Sequence, residues 1–198
     1  MTEHLATIFL MFSMVLTPPE IPQKLDVKHI YPIAVRSEQQ TETKTLYTMT
    51  DAEINALSMK QKAKLIGISA KSFREMTKVV NHEAGPKMED KILVAAVIFN
   101  RVHCKQFKNT IIKVLNEPGQ FYDLKHTRSG SAKDKKAQLA IVLAYRRICK
   151  NEIPRNVLYF NSVSYRTKNR SRYKGYKHYN NYFIRDMKCK CAWCKENK

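Results

Sequence analysis

Apolar residues before position 83 recur with the spacing of an amphipathic helix. Val80, Met76 and Phe73 lie three, seven and ten positions before Glu83. This spacing places all four residues on one face of a helix with a 3.6-residue period. Ser69 precedes the run and suits an N-cap. The pattern predicts a helix from Ser69 to Glu83, with Glu83 on the core side.

Three more helical segments are predicted around this one. Asp51 can cap a helix that runs toward Leu65. Residues 89–102 are apolar on nearly every side, as in helices that lie buried at the centre of a domain. A shorter helix is predicted over residues 109–115.

The C-terminal part is predicted to hold one long helix followed by strands. Ser131 with Asp134 resembles a capping box for a helix that reaches Cys149. After Pro154 the chain is rich in Tyr, Phe and Val, which favour strands. The order of elements predicts a mainly helical α+β domain with a small β element near the C-terminus.

The first fifty residues differ from the rest. The apolar run 5–16 is twelve residues long, too short to span a bilayer as a helix. It has the length of a signal-peptide core, yet Glu3 stands where such signals carry positive charge. Residues 1–20 are therefore predicted to be either an export signal or anchor, or a buried or interfacial helix. The proline-containing residues 21–50 read as a linker.

The net charge of +19 lies entirely after that linker. Residues 1–50 hold four Lys/Arg and five Asp/Glu, whereas the last 34 residues hold eleven Lys/Arg and two Asp/Glu. A positive field of this size attracts polyanions, and both nucleic acid and an acidic bacterial envelope fit it. The chain carries no helix-turn-helix, zinc-finger pair or RNA-recognition motif, so nucleic acid is the second choice. We assign residues 51–185 to the functional domain and 186–198 to a basic, Cys-rich tail.

Several ordered motifs between residues 73 and 185 resemble one enzyme family. The motifs are Glu83-Ala84, Val97-Ile98-Phe99-Asn100-Arg101-Val102, Phe107, Asn109-Thr110-Ile111, Val114, Gln120-Phe121, Leu158-Tyr159-Phe160-Asn161 and His178-Tyr179-Asn180-Asn181-Tyr182-Phe183. In this order they resemble the SleB-like cell-wall hydrolases, the spore-cortex-lytic type of peptidoglycan-cleaving enzyme. The turn after Glu-Ala, Gly85-Pro86-Lys87, is about one residue shorter than in that family.

The resemblance implies a lysozyme-like domain and a specific reaction. Enzymes of this family cleave the β-1,4 bond between N-acetylmuramic acid and N-acetylglucosamine with a single Glu, as lytic transglycosylases. Glu83 is the general acid that this implies, and burial suits the role because it favours the protonated carboxyl. Glycosidases usually pair two carboxylates. The available partners Glu89, Asp90, Glu117 and Asp123 belong to none of the matched motifs.

The same resemblance suggests five substrate-binding residues, which are Asn100, Gln120, Phe121, Tyr159 and His178. Each has an alternative role as a packing or hydrogen-bonded residue, and Asn100 with Arg101 also fits an ordinary helix C-terminus. His82 is next to Glu83 in sequence, but adjacent residues on a helix do not share a face. A His-Glu catalytic pair is therefore not expected.

No cofactor and no catalytic metal are expected. A zinc amidase is disfavoured because Pro86 stands where the His-Glu-x-x-His pattern needs its second His. Cys189, Cys191 and Cys194 form the one weak candidate metal site, with Cys149 or His178 as a possible fourth ligand. Disulfide formation after export is the alternative.

Together these features predict a monomeric peptidoglycan-cleaving enzyme that acts in the bacterial cell wall or periplasm. It would reach that substrate by export or by release on lysis, and a compact, Lys-rich lysin also fits a phage origin. Anionic envelope polymers are further expected partners, and specific nucleic acid is not. The alternative function is that of a basic nucleic-acid- or envelope-binding protein without catalysis.

Overall fold

The structure is a computed structural model that describes residues 45–118, 121, 130–161, 173–178 and 181–196. The predictions for residues 1–20, Gln120 and Asp123, and nearly all of the predicted linker, lie outside the described residues. The helices are α1 (Asp51–Ala56), α2 (Met59–Leu65), α3 (Ala70–Glu83), α4 (Met88–His103), α5 (Ile111–Leu115), α6 (Lys135–Cys149) and α7 (Ala192–Lys195), and the strands are β1 (Val157–Asn161), β2 (Tyr173–His178) and β3 (Asn181–Asp186). The mainly helical α+β fold is confirmed.

The prediction of one helix from Asp51 to Leu65 is wrong, because two capping boxes divide this segment. Thr50, and not Asp51, is the N-cap of α1. Ser58 caps α2, its hydroxyl accepting from the N–H of Gln61 while the Gln61 side chain accepts from the N–H of Ser58. These reciprocal bonds satisfy N–H groups at the start of a new helix, so the chain restarts at Met59.

The predicted helix before Glu83 is confirmed as α3. Ser69 is its N-cap, with its hydroxyl accepting from the N–H of Ser72. Phe73, Met76 and Val80 are completely buried. The helix ends at Glu83, which is half-buried, so the apolar face continues into a residue that solvent can reach.

Helix α4 is the centre of the core, as its sequence predicts. The stretch from Asp90 to Arg101 is buried, and α4 packs against α3, α5, α6 and β1. A helix that is covered on all sides positions whatever lies at its two ends. Its N-terminal end follows Glu83 by a four-residue turn, and its C-terminal end carries Asn100, Arg101 and Cys104.

Helix α6 ends at Cys149 as predicted, but its cap is different. The predicted capping box of Ser131 and Asp134 is wrong, because Asp134 is itself the N-cap. Its carboxylate accepts from the N–H of Lys136 at 2.8 Å and of Ala137 at 3.2 Å. A short carboxylate just before the first turn satisfies these otherwise unpaired N–H groups.

The three strands form one antiparallel sheet in the order β1-β3-β2. Val157 pairs with Arg185 and Tyr159 pairs with Ile184, so Leu158 is the extra residue of a β-bulge. The Leu158 carbonyl accepts a 2.7 Å hydrogen bond from Nε of Arg101. The bulge therefore ties the sheet to α4. None of the helices in the described part of the chain has the length and hydropathy needed to cross a bilayer.

Candidate active site

Glu83 lies where α3 ends and the chain turns toward α4. Ala84, the C-cap, has an extended backbone and donates its N–H to the carbonyl of Val80 at 3.2 Å. Nδ2 of Asn181, at the start of β3, donates to the Glu83 carbonyl at 3.5 Å. His82 is exposed. The sheet therefore contacts the backbone of Glu83, and the residue as a whole is half-buried.

Asn81 fixes this end of α3 to the start of α6. Its Nδ2 donates to Oδ2 of Asp134, and its Oδ1 accepts from the N–H of Ser131 at 3.1 Å. Lys91 Nζ lies 3.6 Å from the same carboxylate of Asp134. Burial acts to raise the pKa of Asp134, but hydrogen bonds from Ala137, Asn81 and Lys136, with the charge of Lys91, outweigh it and lower that pKa.

The β2–β3 hairpin brings a further predicted residue to the same end of the molecule. His178 pairs with Asn181 across the two strands, and Asn181 is the residue that contacts Glu83. The backbone of His178 therefore lies near Glu83. The side chain of His178 lies outside the described residues, as does Gln120.

Three of the other predicted carboxylates, Glu89, Asp90 and Glu117, are among the described residues, and each has a different environment. Both oxygens of Glu89 accept from Nη1 of Arg147 at 2.7 Å. Asp90 is completely buried, so a glycan strand cannot reach it. Glu117 accepts from the N–H of Lys108 at 3.1 Å. Of the four described candidates, Glu83 combines partial exposure with a position at the junction of α3, α6 and β3.

Asn100 is completely buried, and the protein itself uses its side-chain amide. Nδ2 donates to the carbonyls of Pro154 and Val157, both at 3.1 Å. Oδ1 accepts from Nε1 of Trp193 at 3.2 Å. This geometry ties α4 to the start of β1 and to α7, which matches the supporting role left open for Asn100.

Arg101 lies among three aromatic rings. Its guanidinium carbon is 5.1 Å from the ring centres of Phe107 and Phe121 and 5.6 Å from that of Tyr159, within the range of cation–π attraction. Burial lowers the pKa of Arg101 to about 10, against the opposing charges of Tyr159 and Glu117. Two predicted groove residues, Phe121 and Tyr159, are thus brought together around one buried cation.

A cleft of about 870 Å³ lies at the other end of α4 from Glu83. Its lining includes Ser69, Phe99, His103, Tyr145 and Trp193, and it does not include Glu83. The position of the cleft therefore does not coincide with that of the candidate acid, Glu83. We place the candidate active site at Glu83 on chemical grounds, because among the described residues that line the cleft the exposed Glu196 is the one acidic side chain.

The predicted thiol cluster is present, but its fourth member is Cys104. Cys189, Cys191, Cys194 and Cys104 place their sulfur atoms within 4.8 Å of one another. Cys149 is not among them and lies at the end of α6. Cys104 lies 85 residues before Cys189 in the sequence, so the local spacing of the C-terminal cysteines does not reveal it.

Comparison with known proteins identifies one family. The sequence model of the cell wall hydrolases matches residues 85–195, which is more than half of the chain. No curated protein sequence and no solved structure matches. The match begins two residues after Glu83 and includes Arg101, Tyr159 and the four clustered cysteines. The chain belongs to the cell wall hydrolase family and is an enzyme that acts on peptidoglycan in the cell wall or periplasm.

Proposed function

We propose that the enzyme is a lytic transglycosylase that cleaves the β-1,4 bond between N-acetylmuramic acid and N-acetylglucosamine, with Glu83 as its general acid. One observation carries the proposal. Glu83 is half-buried at the junction of α3, α6 and β3, where Asn181 donates to its backbone carbonyl and Asn81, two residues earlier, ties the end of α3 to Asp134 and Ser131. A catalytic acid needs both access to the sugar and a rigid support.

The reaction needs only one acidic group. The protonated carboxyl of Glu83 gives its proton to the glycosidic oxygen of N-acetylglucosamine while the bond from that oxygen to C1 breaks. The 6-hydroxyl oxygen of the muramic acid sugar then bonds to C1 and forms the 1,6-anhydro ring. Its proton passes to the Glu83 carboxylate, which restores the acid.

The placement of the other acids supports this single-acid scheme. A hydrolytic glycosidase pairs two carboxyl groups across the scissile bond. Glu89 is held by Arg147 and Asp90 is completely buried. To activate a water molecule opposite Glu83, Glu89 would have to leave Arg147, and Asp90 would have to become exposed to solvent.

The aromatic residues near Arg101 supply sugar-binding surface in this proposal. Phe121 contacts Phe160 with ring centres 6.0 Å apart, and Phe107 contacts Tyr159 at 5.9 Å. Sugar rings pack on such faces, and Phe107, Tyr159 and Phe160 are half-buried, whereas Phe121 is buried. Gln120 and His178 remain proposed contacts, whereas we propose that Asn100 supports the fold.

The charge of the enzyme suits its substrate. The excess of Lys and Arg after residue 50 attracts peptide-stem carboxylates and anionic envelope polymers by long-range steering. We further propose that residues 1–20 direct export or, as the alternative, that lysis releases a phage-encoded enzyme. Residues 21–50 then link residues 1–20 to a catalytic domain of residues 51–185. We also propose that the enzyme acts as a monomer.

Purified full-length wild type and Glu83→Gln, incubated with peptidoglycan sacculi, test the proposal. Mass spectrometry of the released fragments distinguishes the products. Glu75→Gln is the matched control, because Glu75 is on the same helix and pairs with Lys78 at the surface. We expect anhydro-muropeptides from wild type and from Glu75→Gln, and release about 10²–10⁴-fold slower from Glu83→Gln.

Other outcomes would reject parts of the proposal. Fragments with ordinary reducing ends would show hydrolysis instead of transglycosylation. Full activity of Glu83→Gln would remove Glu83 as the acid. Binding of wild type to sacculi without any release would favour the basic binding protein without catalysis.

A further inference from the structure

The strongest unassigned feature is a cluster of four thiols at the C-terminal end of α4. The Sγ atoms of Cys104 and Cys189 are 3.6 Å apart, those of Cys189 and Cys191 are 3.5 Å apart, and those of Cys191 and Cys104 are 3.6 Å apart. Cys194 completes the group, with all four sulfur atoms within 4.8 Å of one another. All four thiols are free.

These distances fit a tetrahedron around a single ion. Zinc–thiolate bonds are about 2.3 Å long, so the sulfur atoms of a tetrahedral site are separated by about 3.8 Å. The three distances above are close to this value. The four cysteines come from two parts of the chain, and their sulfur atoms converge on a common centre.

Backbone hydrogen bonds support two of the sulfur atoms. The N–H of Gln106 bonds to the Cys104 sulfur, and the N–H of Cys191 bonds to the Cys189 sulfur. In both cases the donor lies two residues after the cysteine that accepts. Donors of this kind orient the ligands of a metal and stabilise their negative charge.

The surrounding charge also favours thiolates. Four thiolates around one divalent cation leave a local charge of −2. The exposed cations Lys105, Lys188, Lys190 and Lys195 are each directly next to a cysteine of the cluster in sequence. Positive neighbours lower the cost of deprotonating cysteine.

The C-terminal segment needs such an anchor. Helix α7 has only four residues, too few to be stable alone. The buried members of the apolar cluster around it are Leu158 and three of the four cysteines, with Phe107, Tyr159, Cys191 and Trp193 packed against them. Trp193 adds a stack on His103 with ring centres 4.2 Å apart, and Arg155 lies over the same indole at 4.3 Å.

We propose that Cys104, Cys189, Cys191 and Cys194 bind one Zn²⁺ as a structural site. Binding exchanges four thiol protons for one ion, and the protons pass to solvent. All four positions are filled by protein sulfur atoms, three of them buried, so no position is open for substrate or water. The ion joins the end of α4 to the segment after β3, and thereby supports Asn100 and Trp193. Soft thiolate ligands favour zinc over magnesium or calcium.

The metal content of the full-length enzyme tests the site directly. Protein purified without chelators under reducing conditions is expected to contain about one zinc ion per chain by elemental mass spectrometry. Replacing the zinc with Co²⁺ is expected to give the strong thiolate-to-metal absorption of a tetrahedral sulfur site. Folded protein that stays metal-free in excess Zn²⁺, or a Co²⁺ spectrum of oxygen ligands, would overturn the proposal.

Cysteine variants assign the ligands. Cys191→Ser is the mildest substitution because Cys191 is half-buried, and Cys104→Ser tests the distant ligand. Both are expected to weaken zinc binding and to alter the cobalt spectrum. Cys149→Ser is the matched control and is expected to change neither.

Three results would contradict the ligand assignment. These are equal metal loss in Cys149→Ser, an unaltered cobalt spectrum in Cys191→Ser, and disulfide bonds among the four cysteines in protein handled without oxidant. These readouts do not depend on catalysis. They therefore fail or succeed separately from the role of Glu83.

Discussion

The two ends of α4 are built on opposite principles. At the N-terminal end, Glu83 is half-buried and lies among polar groups from three elements. At the C-terminal end, Asn100 and three of the four clustered cysteines are buried. The Asn100 amide is hydrogen-bonded within the protein, and the four thiols lie against one another. We call the first end open because Glu83 is partly exposed, and the second end closed because its buried amide and thiol groups contact other protein groups, beside the cleft of about 870 Å³.

Under the proposed function, this difference separates catalysis at one end of α4 from structural support at the other. Strand β3 begins beside Glu83 and ends three residues before Cys189, so it connects the two ends along the same direction as α4. A closed end holds both elements in place, which lets the other end present a carboxyl at a defined position. Changes at the closed end should therefore reduce stability, and changes at the open end should reduce activity.

Metal removal should have the largest effect on stability. A ligand present at about 1,000 times its dissociation constant stabilises the folded state by about 4 kcal/mol. We expect a strong chelator to lower the free energy of unfolding of the wild type by about this amount. Thermal and urea unfolding with and without chelator measure it, with Cys149→Ser expected to respond as wild type does. An unchanged unfolding curve would show that no metal holds the closed end.

The substitution Asn100→Ala should have the second-largest effect on stability. It leaves the buried carbonyls of Pro154 and Val157 and the indole N–H of Trp193 without their partner. Each unpaired buried group costs about 1–3 kcal/mol, and because such costs are not additive we expect a total loss of about 2–4 kcal/mol. Urea unfolding measures it against Asn116→Ala, an exposed asparagine. A loss no larger than in that control would argue against the supporting role.

Asn81→Ala should affect the open end. The change removes the bonds to Asp134 and Ser131 that fix the end of α3, at a cost of about 1–2 kcal/mol. A small displacement of a catalytic group is costly, so we expect kcat on sacculi to fall at least about tenfold. His82→Ala, at the exposed neighbour, is the control. Equal kcat values for the two variants would contradict a positioning role for Asn81.

The smallest effect is the acid dependence that Asp134 contributes. Its pKa is lowered from the ordinary 3.8 in the folded state. The stabilisation that Asp134 contributes to the folded state is therefore complete above pH 3.8. It is lost as the pH falls through the lower pKa of the folded state. Urea unfolding between about pH 6 and pH 2 should show wild type and Asp134→Asn converging as the solution becomes more acidic. A difference that grows toward low pH would reverse the sign and reject this account.

Local patterns predicted the helices better than the contacts between them. The apolar period of Phe73, Met76 and Val80 located α3, because one helix face is recorded directly in the sequence. The break between α1 and α2 at Ser58 was missed. There the reciprocal hydrogen bonds between Ser58 and Gln61 start a new helix, although the residues around them could continue the first one.

The candidate site was predictable only in part. The catalytic role of Glu83, inferred from its helix and from the resemblance, stays a prediction, and its contact with Asn181 depends on a residue 98 positions away in sequence. Cys104 was missed for the same reason, because its partners lie after β3. Side chains that meet through tertiary packing carry no local signal.

The central claim is that Glu83 supplies the acid at the open end. Its most direct test is the rate at which Glu83→Gln releases anhydro-muropeptides from sacculi, measured beside its melting temperature. General acid catalysis contributes about 10²–10⁴-fold, so we predict a loss of that size with a melting temperature equal to that of the wild type. Release at the wild-type rate by a folded Glu83→Gln protein would contradict the claim.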